Sequence, residues 1–167
     1  MLHQFTFKNF KSFKEETTLD MLASSIKEHP HDVVMDVMEE KVLKVAAIYG
    51  ANASGKSNVI EAFAAMKNMV LYSFRQNIFS TKNDIEPYWF EDKNVPTEFN
   101  VIFSTEGDIY QYGFSVLEGV ILEEYLYQRD PKVKKETYIE LFSKNGETLS
   151  GELLSNIGTQ NILELIE

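Results

Sequence analysis

The chain has 167 residues and a mass of 19.2 kDa, the size of one domain. Its 44% hydrophobic and 25% charged residues exclude a disordered or low-complexity polymer, and the absence of cysteine excludes disulfides, thiolate zinc sites and Cys nucleophiles. The formal net charge of −10 argues against a basic nucleic-acid-binding domain, and the acid is unevenly placed: residues 1–57 carry seven basic and eight acidic groups, residues 58–167 nine and eighteen, so an anion site belongs in the first third.

Residues 2–7 alternate and end in Phe5 and Phe7, which predicts a half-buried strand. The turn-like stretch Lys8-Asn9-Phe10-Lys11-Ser12-Phe13 leads to a second strand reaching Leu19. Residues 20–41, with Pro30, two histidines and many acids, read as a short helix plus a loop. The apolar run 42–49 predicts a strand covered on both faces. A glycine-containing loop follows, then a helix from about Lys56 to Phe74 whose Val59, Ile60, Phe63, Met66, Val70 and Phe74 fall at helical spacing. Residues 75–96 read as an irregular connection. From Glu98 the period is two, with strands near 98–104, 109–117, 120–128 and 137–143. They are separated by Glu106-Gly107-Asp108, Glu118-Gly119, Arg129-Asp130-Pro131 and Asn145-Gly146, which is the turn chemistry of an antiparallel meander. A short helix over Asn161–Ile166 is expected at the end. The N-terminus lacks a signal-peptide core and no apolar run reaches the ~18 residues of a membrane span, so the expectation is a cytoplasmic protein that does not engage a membrane.

One motif carries chemistry. Gly50-Ala51-Asn52-Ala53-Ser54-Gly55-Lys56-Ser57 fits G-x-x-x-x-G-K-[ST], the Walker A P-loop. A triphosphate must be held by backbone N–H groups without bulky side chains in the way, so glycines let the loop curl, and the following helix N-terminus adds partial positive charge. Lys56 would reach the β- and γ-phosphates and Ser57 would ligate Mg²⁺, making ATP and Mg²⁺ the expected cofactors.

The segments Lys8-Asn9-Phe10-Lys11-Ser12-Phe13 and Ile48-Tyr49-Gly50 through Ser57-Asn58 together resemble the SMC/RecF-like branch of ABC-type P-loop ATPases. Within it they are most similar to bacterial abortive-infection (AbiLi-like) and OLD-type ATP-binding AAA proteins; Glu98-Phe99-Asn100-Val101 and Tyr110-Gln111-Tyr112-Gly113-Phe114 resemble that group's β-subdomain. The resemblance implies an α/β fold, a P-loop NTPase of ABC/SMC-head type with an antiparallel β-subdomain. The chain would be the N-terminal part of one head, with residues 1–75 as nucleotide-binding unit and 98–145 as β-subdomain. It further implies that Lys11 and Ser12 lie near the nucleotide, that Asn52 faces the γ-phosphate, and that Asn58 belongs with the nucleotide-binding residues. A second head, as a homodimer, would complete the site, and a nuclease partner or domain is implied. DNA as a target of the parent is not favoured by the net charge.

Such heads also need a signature segment, Walker B carboxylates and a switch histidine, all expected beyond Glu167. Val120-Ile121-Leu122-Glu123-Glu124 imitates Walker B, but period two puts its acids on opposite faces. Leu149-Ser150-Gly151-Glu152 imitates a signature, but in the wrong order, and reads as a turn. Gln76 and Gln111 lack the context of a Mg²⁺-sensing glutamine, and His29, His31 and Asp32 read as solvated rather than metal-binding. His3 is a lone strand residue. Lys132, Lys134 and Lys135 read as a solvated hairpin tip, and Tyr88, Trp89 and Phe90 as satellite core. The competing readings are a non-catalytic nucleotide- or partner-binding module and a small P-loop kinase or GTPase. The latter is disfavoured by having only Arg75 and Arg129 for a lid and no Asn-Lys-x-Asp.

Overall fold

Phe5 and Phe7 alternate with Gln4, Thr6 and Lys8, and this alternation forms strand β1 (Leu2–Lys8), buried on the phenylalanine side. The computed structural model describes residues 1–25, 30–72, 85–133 and 137–153. Within them β1 pairs antiparallel with β2 (Thr17–Asp20) on one side and β5 (Thr97–Thr105) on the other. The meander continues through β6 (Asp108–Leu117), β7 (Val120–Arg129), β8 (Tyr138–Asn145) and β9 (Thr148–Ser150). The result is a seven-stranded sheet of order β2-β1-β5-β6-β7-β8-β9. Two of its hairpins turn on Glu106-Gly107 and Glu118-Gly119, each pair at positive φ, the type I′ geometry that matches strand twist.

Helix α1 (Lys56–Tyr72) packs on the phenylalanine face. Val59, Ala62, Ala65, Met66 and Met69 are buried against Phe5, Phe7, Phe10, Phe99, Phe114 and Val116. The two alanines let the helix approach the rings, and the methionines fill the gaps between them. Phe5 stacks on Phe7 at 5.5 Å, and Phe7 meets Phe13 edge-on at 5.1 Å. Each fully buried ring contributes about 2–3 kcal/mol. The molecule is therefore α/β with antiparallel pairing throughout the described residues.

Several expectations are corrected. The described residues of 20–41 hold no α-helix. They hold 3₁₀ turns at Pro30–Asp32 and Val37–Glu39 and the strands β3 (Val33–Met35) and β4 (Lys41–Leu43), which pair as a separate ribbon. Met38 and Glu39 take left-handed φ values there, which no helix continues. The buried strand over 42–49 is also absent: pairing ends at Leu43, and Val45 and Tyr49 are 79% and 90% exposed. A two-sided strand needs neighbours on both edges, and the described sheet supplies none beyond Leu43. The apolar stripe of the helix is met in part: Val59 and Met66 are buried and Phe63 meets the Phe5 ring edge-on at 5.1 Å, whereas Ile60 and Val70 are exposed and Ala62, Ala65 and Met69 complete the buried face. The helix is apolar on both faces, so spacing alone did not choose between them. Its expected last residue, Phe74, lies outside the described residues, as do Arg75, Gln76, His29, Lys134, Lys135 and the expected helix 161–166.

Candidate functional site

The P-loop sits at the N-terminus of α1, and its fold follows from its glycines and from what they touch. Gly55 has φ +87, and a Cβ there would lie 2.7 Å from Ser12 Oγ and 3.1 Å from the Phe13 ring. Only glycine satisfies both the left-handed backbone and the close approach. Gly50 faces Ser54, whose Oγ would be 2.6 Å from an added Cβ. Ala53 is also left-handed at φ 62. The loop closes through Ser54 N donating to Ala51 O at 3.3 Å and Asn58 N to Gly55 O at 2.9 Å.

Lys56 folds back over the loop. Its Nζ donates to Gly50 O at 2.9 Å and Ala51 O at 2.5 Å. The N–H groups of Gly55, Lys56 and Ser57 meet no acceptor among the described residues. A concave set of free N–H donors, an ammonium that can swing outward and a helix N-terminus together form an anion receptor. Ser57 is exposed, so its hydroxyl is open to a cation. Among the described residues no cluster of three or more His, Cys, Asp or Glu could hold a metal, so here Mg²⁺ would rest on Ser57, phosphate oxygens and water. These residues fit a Mg–nucleotide.

The turn after β1 is brought against this loop. Asn58 Nδ2 donates to Ser12 Oγ at 2.9 Å. Lys11, at φ 48, donates through its backbone N to Glu86 O at 2.8 Å and through Nζ to Glu61 Oε2 at 2.6 Å. The hydrogen bond to Glu61 holds the Lys11 ammonium above the ordinary lysine range, against the opposing effect of desolvation. Lys11 and Ser12 therefore stand beside the P-loop, Ser12 in contact with it and Lys11 paired on the flank of α1. Asn52 lies on the exposed crest of the loop.

Sequence reasoning missed the residue that positions this turn. Asn9 is fully buried at φ 53. Its Nδ2 donates to Val95 O at 2.9 Å and Pro96 O at 3.3 Å, and its Oδ1 accepts from Tyr88 N at 2.9 Å. It thus ties the turn to the segment 85–96. An asparagine between a strand and a Lys-Ser turn was the available signal, because Asn tolerates the left-handed region and bonds backbone locally. His3 is likewise no idle strand residue: it is buried, with Nε2 2.8 Å from Asp36 Oδ2, and Ser104 Oγ donates to the same oxygen.

The remaining candidates separate from the site. Glu123 and Glu124 lie on opposite faces of β7, and Glu124 accepts from Tyr112 OH at 2.6 Å. Leu149 and Ser150 form the edge strand β9 rather than a turn, and Gly151 passes so close to β8 that a Cβ would be 2.3 Å from Leu141 O. Gln111 bonds Asn100 on the outer sheet face, and His31 and Asp32 are exposed. The satellite-core expectation fails for Trp89 and Phe90, which are 88% and 80% exposed on a turn closed by Glu91 N to Tyr88 O at 3.0 Å.

Residues 45–155 match the family described as "AAA domain, putative AbiEii toxin, Type IV TA system", two thirds of the chain. The chain belongs to this AAA-domain family. The matched span opens just before Gly50 and takes in the P-loop, α1 and the meander, so the family and the loop geometry agree on a P-loop NTPase with ATP-binding, ATPase-like character. No curated protein matches the chain in sequence. No helix among the described residues is long and apolar enough to cross a membrane.

Proposed function

We propose that the chain binds Mg–ATP through Gly50–Ser57 as part of an ATP-hydrolysing head of the SMC/OLD-like kind. The observation that carries the reading is the loop itself: free N–H groups at Gly55, Lys56 and Ser57 with the Lys56 ammonium held on loop carbonyls at 2.9 and 2.5 Å. Incoming β- and γ-phosphates offer Lys56 charged acceptors in place of neutral carbonyls, a stronger bond. Ser57 would then ligate Mg²⁺, and Asn52 would face the γ-phosphate. Asn58 and Ser12, bonded to each other at 2.9 Å, would border the phosphates, and Lys11 would gain phosphate as a competitor for its bond to Glu61.

A hydrolytic head needs a carboxylate to orient the attacking water. Glu61, the acid next to the site, is engaged by Lys11. The water-orienting acid and the signature segment would come from outside this chain or from a second head in a homodimer. Phage defence or DNA maintenance, with a nuclease as partner or attached domain, is the corresponding biological role. The toxin-system wording of the family description favours defence.

The test is calorimetric titration of this chain with Mg–ATP, with Lys56→Ala alongside. Saturable wild-type binding that is lost in the variant is expected, with turnover near background. A folded protein that binds no nucleotide, or binds it equally without Lys56, would refute the reading. Substantial turnover abolished by Lys56→Ala would place a catalytic acid within the chain.

A further inference from the structure

The turn at 88–91 carries an aromatic pair that the fold does not use. Trp89 and Phe90 are 88% and 80% exposed, and Trp89 is the single tryptophan of the chain. An exposed indole forgoes one of the largest apolar burials a side chain can offer. Phe90 leans on the half-buried Tyr88, ring centroids 5.8 Å apart, while Trp89 meets no other ring among the described residues. The turn itself is fixed. Glu91 N donates to Tyr88 O at 3.0 Å, Tyr88 N donates to Asn9 Oδ1 at 2.9 Å, and Lys14 Nζ lies 3.5 Å from Glu91 Oε2.

The same segment is tied to the turn that touches the P-loop. Lys11 N donates to Glu86 O at 2.8 Å, and Lys11 Nζ lies 2.6 Å from Glu61 Oε2 on α1 and 3.8 Å from Glu86 Oε1. Ser12, the next residue, stands against Gly55 and accepts from Asn58 Nδ2. Trp89 follows Glu86 by three residues, at most about 10 Å of chain. The P-loop and this turn offer backbone N–H groups, an ammonium and hydroxyls, which suit phosphate and give a base nothing to stack on. The Phe13 ring is committed, since it meets Phe7 edge-on at 5.1 Å and lies against Gly55.

We infer that Trp89 is the wall on which the nucleobase stacks, and that the site takes purine nucleoside triphosphates as a class. This rests on the nucleotide reading of the P-loop. The ribose carries the base clear of the phosphates, and the indole supplies a flat apolar face to that side of the loop. Tyr49 is the rival wall, 90% exposed next to Gly50. Residues 45–49 make no hydrogen bond among the described residues, so ordering Tyr49 against a base would cost entropy that the fixed turn of Trp89 does not. Stacking tolerates any base because every base has a π-face, and the two rings of a purine cover more of an indole than the one ring of a pyrimidine. The hydrogen bonds of Asn9 hold this turn and the Ser12 turn together, and so set the base wall relative to the phosphate seat.

The experiment compares Mg–ATP with Mg–tripolyphosphate, which keeps the phosphates and lacks the base, by calorimetry and by the emission of Trp89. ATP should quench the emission saturably, at the affinity that calorimetry gives, and tripolyphosphate should leave it unchanged. Trp89→Ala should weaken ATP about tenfold, as loss of one base–aromatic stack does, and leave tripolyphosphate affinity as in wild type. Trp89→Phe should recover most of that loss, GTP should follow ATP closely, and UTP should bind more weakly. Lys56→Ala should lose both ligands. Tripolyphosphate binding that needs Lys56, with ATP affinity unchanged in Trp89→Ala, would overturn the stacking role and leave the P-loop reading standing. A folded wild type that binds neither ligand would overturn both. Equal weakening of the two ligands by Trp89→Ala would make its role structural, and a base contribution lost in Tyr49→Ala instead would move the wall to Tyr49; either result overturns the proposal.

Discussion

Replacing Asn9 by alanine should destabilise the protein by about 4 kcal/mol. The side chain makes three hydrogen bonds to the segment 85–96: to Val95 O, to Pro96 O and from Tyr88 N. Each is worth about 1 kcal/mol net, and more where the abandoned backbone group stays dry. Asn9 is fully buried, so water does not replace the amide cheaply. Alanine at φ 53 adds about 1 kcal/mol of left-handed strain. Glycine removes the hydrogen bonds without that strain, so Asn9→Gly should recover about 1 kcal/mol relative to alanine. Urea unfolding followed by circular dichroism reads both. At a slope of about 2 kcal/mol per molar, the alanine variant's midpoint should fall by ~2 M. The same change should weaken Mg–ATP binding, because the turn that Asn9 holds carries Ser12 against Gly55. An alanine variant within 1 kcal/mol of wild type, or a glycine variant no better than alanine, would refute this assignment of roles.

Gly55→Ala should abolish nucleotide binding and lower stability by about 1–2 kcal/mol, since its Cβ meets Ser12 Oγ at 2.7 Å on a φ of +87; binding calorimetry and thermal melts check it. Gly113→Ala should destabilise the meander by at least ~2 kcal/mol, because the Phe99 carbonyl at 2.8 Å is backbone and cannot swing aside; a second change, Tyr125→Ala, should relieve only part of the loss in the same urea assay. Burial alone would raise the Asp36 carboxyl, but hydrogen bonds from Ser104 and His3 hold it below its ordinary value of 3.8. A depressed folded pKa contributes stability that is present above the unfolded value and lost as pH falls through the folded one. Urea midpoints should therefore drop on acidification below about pH 4, and Asp36→Asn should flatten that part of the profile.

The meander was legible because its strands are half-buried and carry their own turns. The breaks at Glu106-Gly107 and Glu118-Gly119 lie where the positive-φ residues do, and each strand boundary is met within two residues. The P-loop was legible for a related reason: its chemistry tolerates few residue types. The partners of these elements were not. No local pattern says that β1 joins the edge of the meander at β5, ninety residues away, because that pairing is decided by the match of Phe5 and Phe7 to Val101 and Phe99 across the sheet. The partners of Asn9 and His3 were unreadable for the same reason, since those at 88–96 and at Asp36 are remote in sequence.

The two errors around the P-loop share one physical origin. The part of the run 42–49 beyond Lys44 and the outer stripe of α1 are both apolar, and both are left uncovered: Val45 and Tyr49 are 79% and 90% exposed, and Ile60, Val70 and Leu71 stand outside the core. Hydrophobicity reports that a residue gains by burial, not which surface will bury it. A helix with one apolar face has one solution, whereas α1 has two, and the described sheet answers only one of them through Ala62, Ala65, Met66 and Met69. The loop between run and helix needs neither surface to take its shape, because Gly55, Ser12, Phe13 and the Lys56 bonds fix it from within and from β1. In the proposed reading the nucleotide seat would be formed by the N-terminal turn and the P-loop together, held in shape by Asn9 and Gly55 rather than by a buried strand over 42–49.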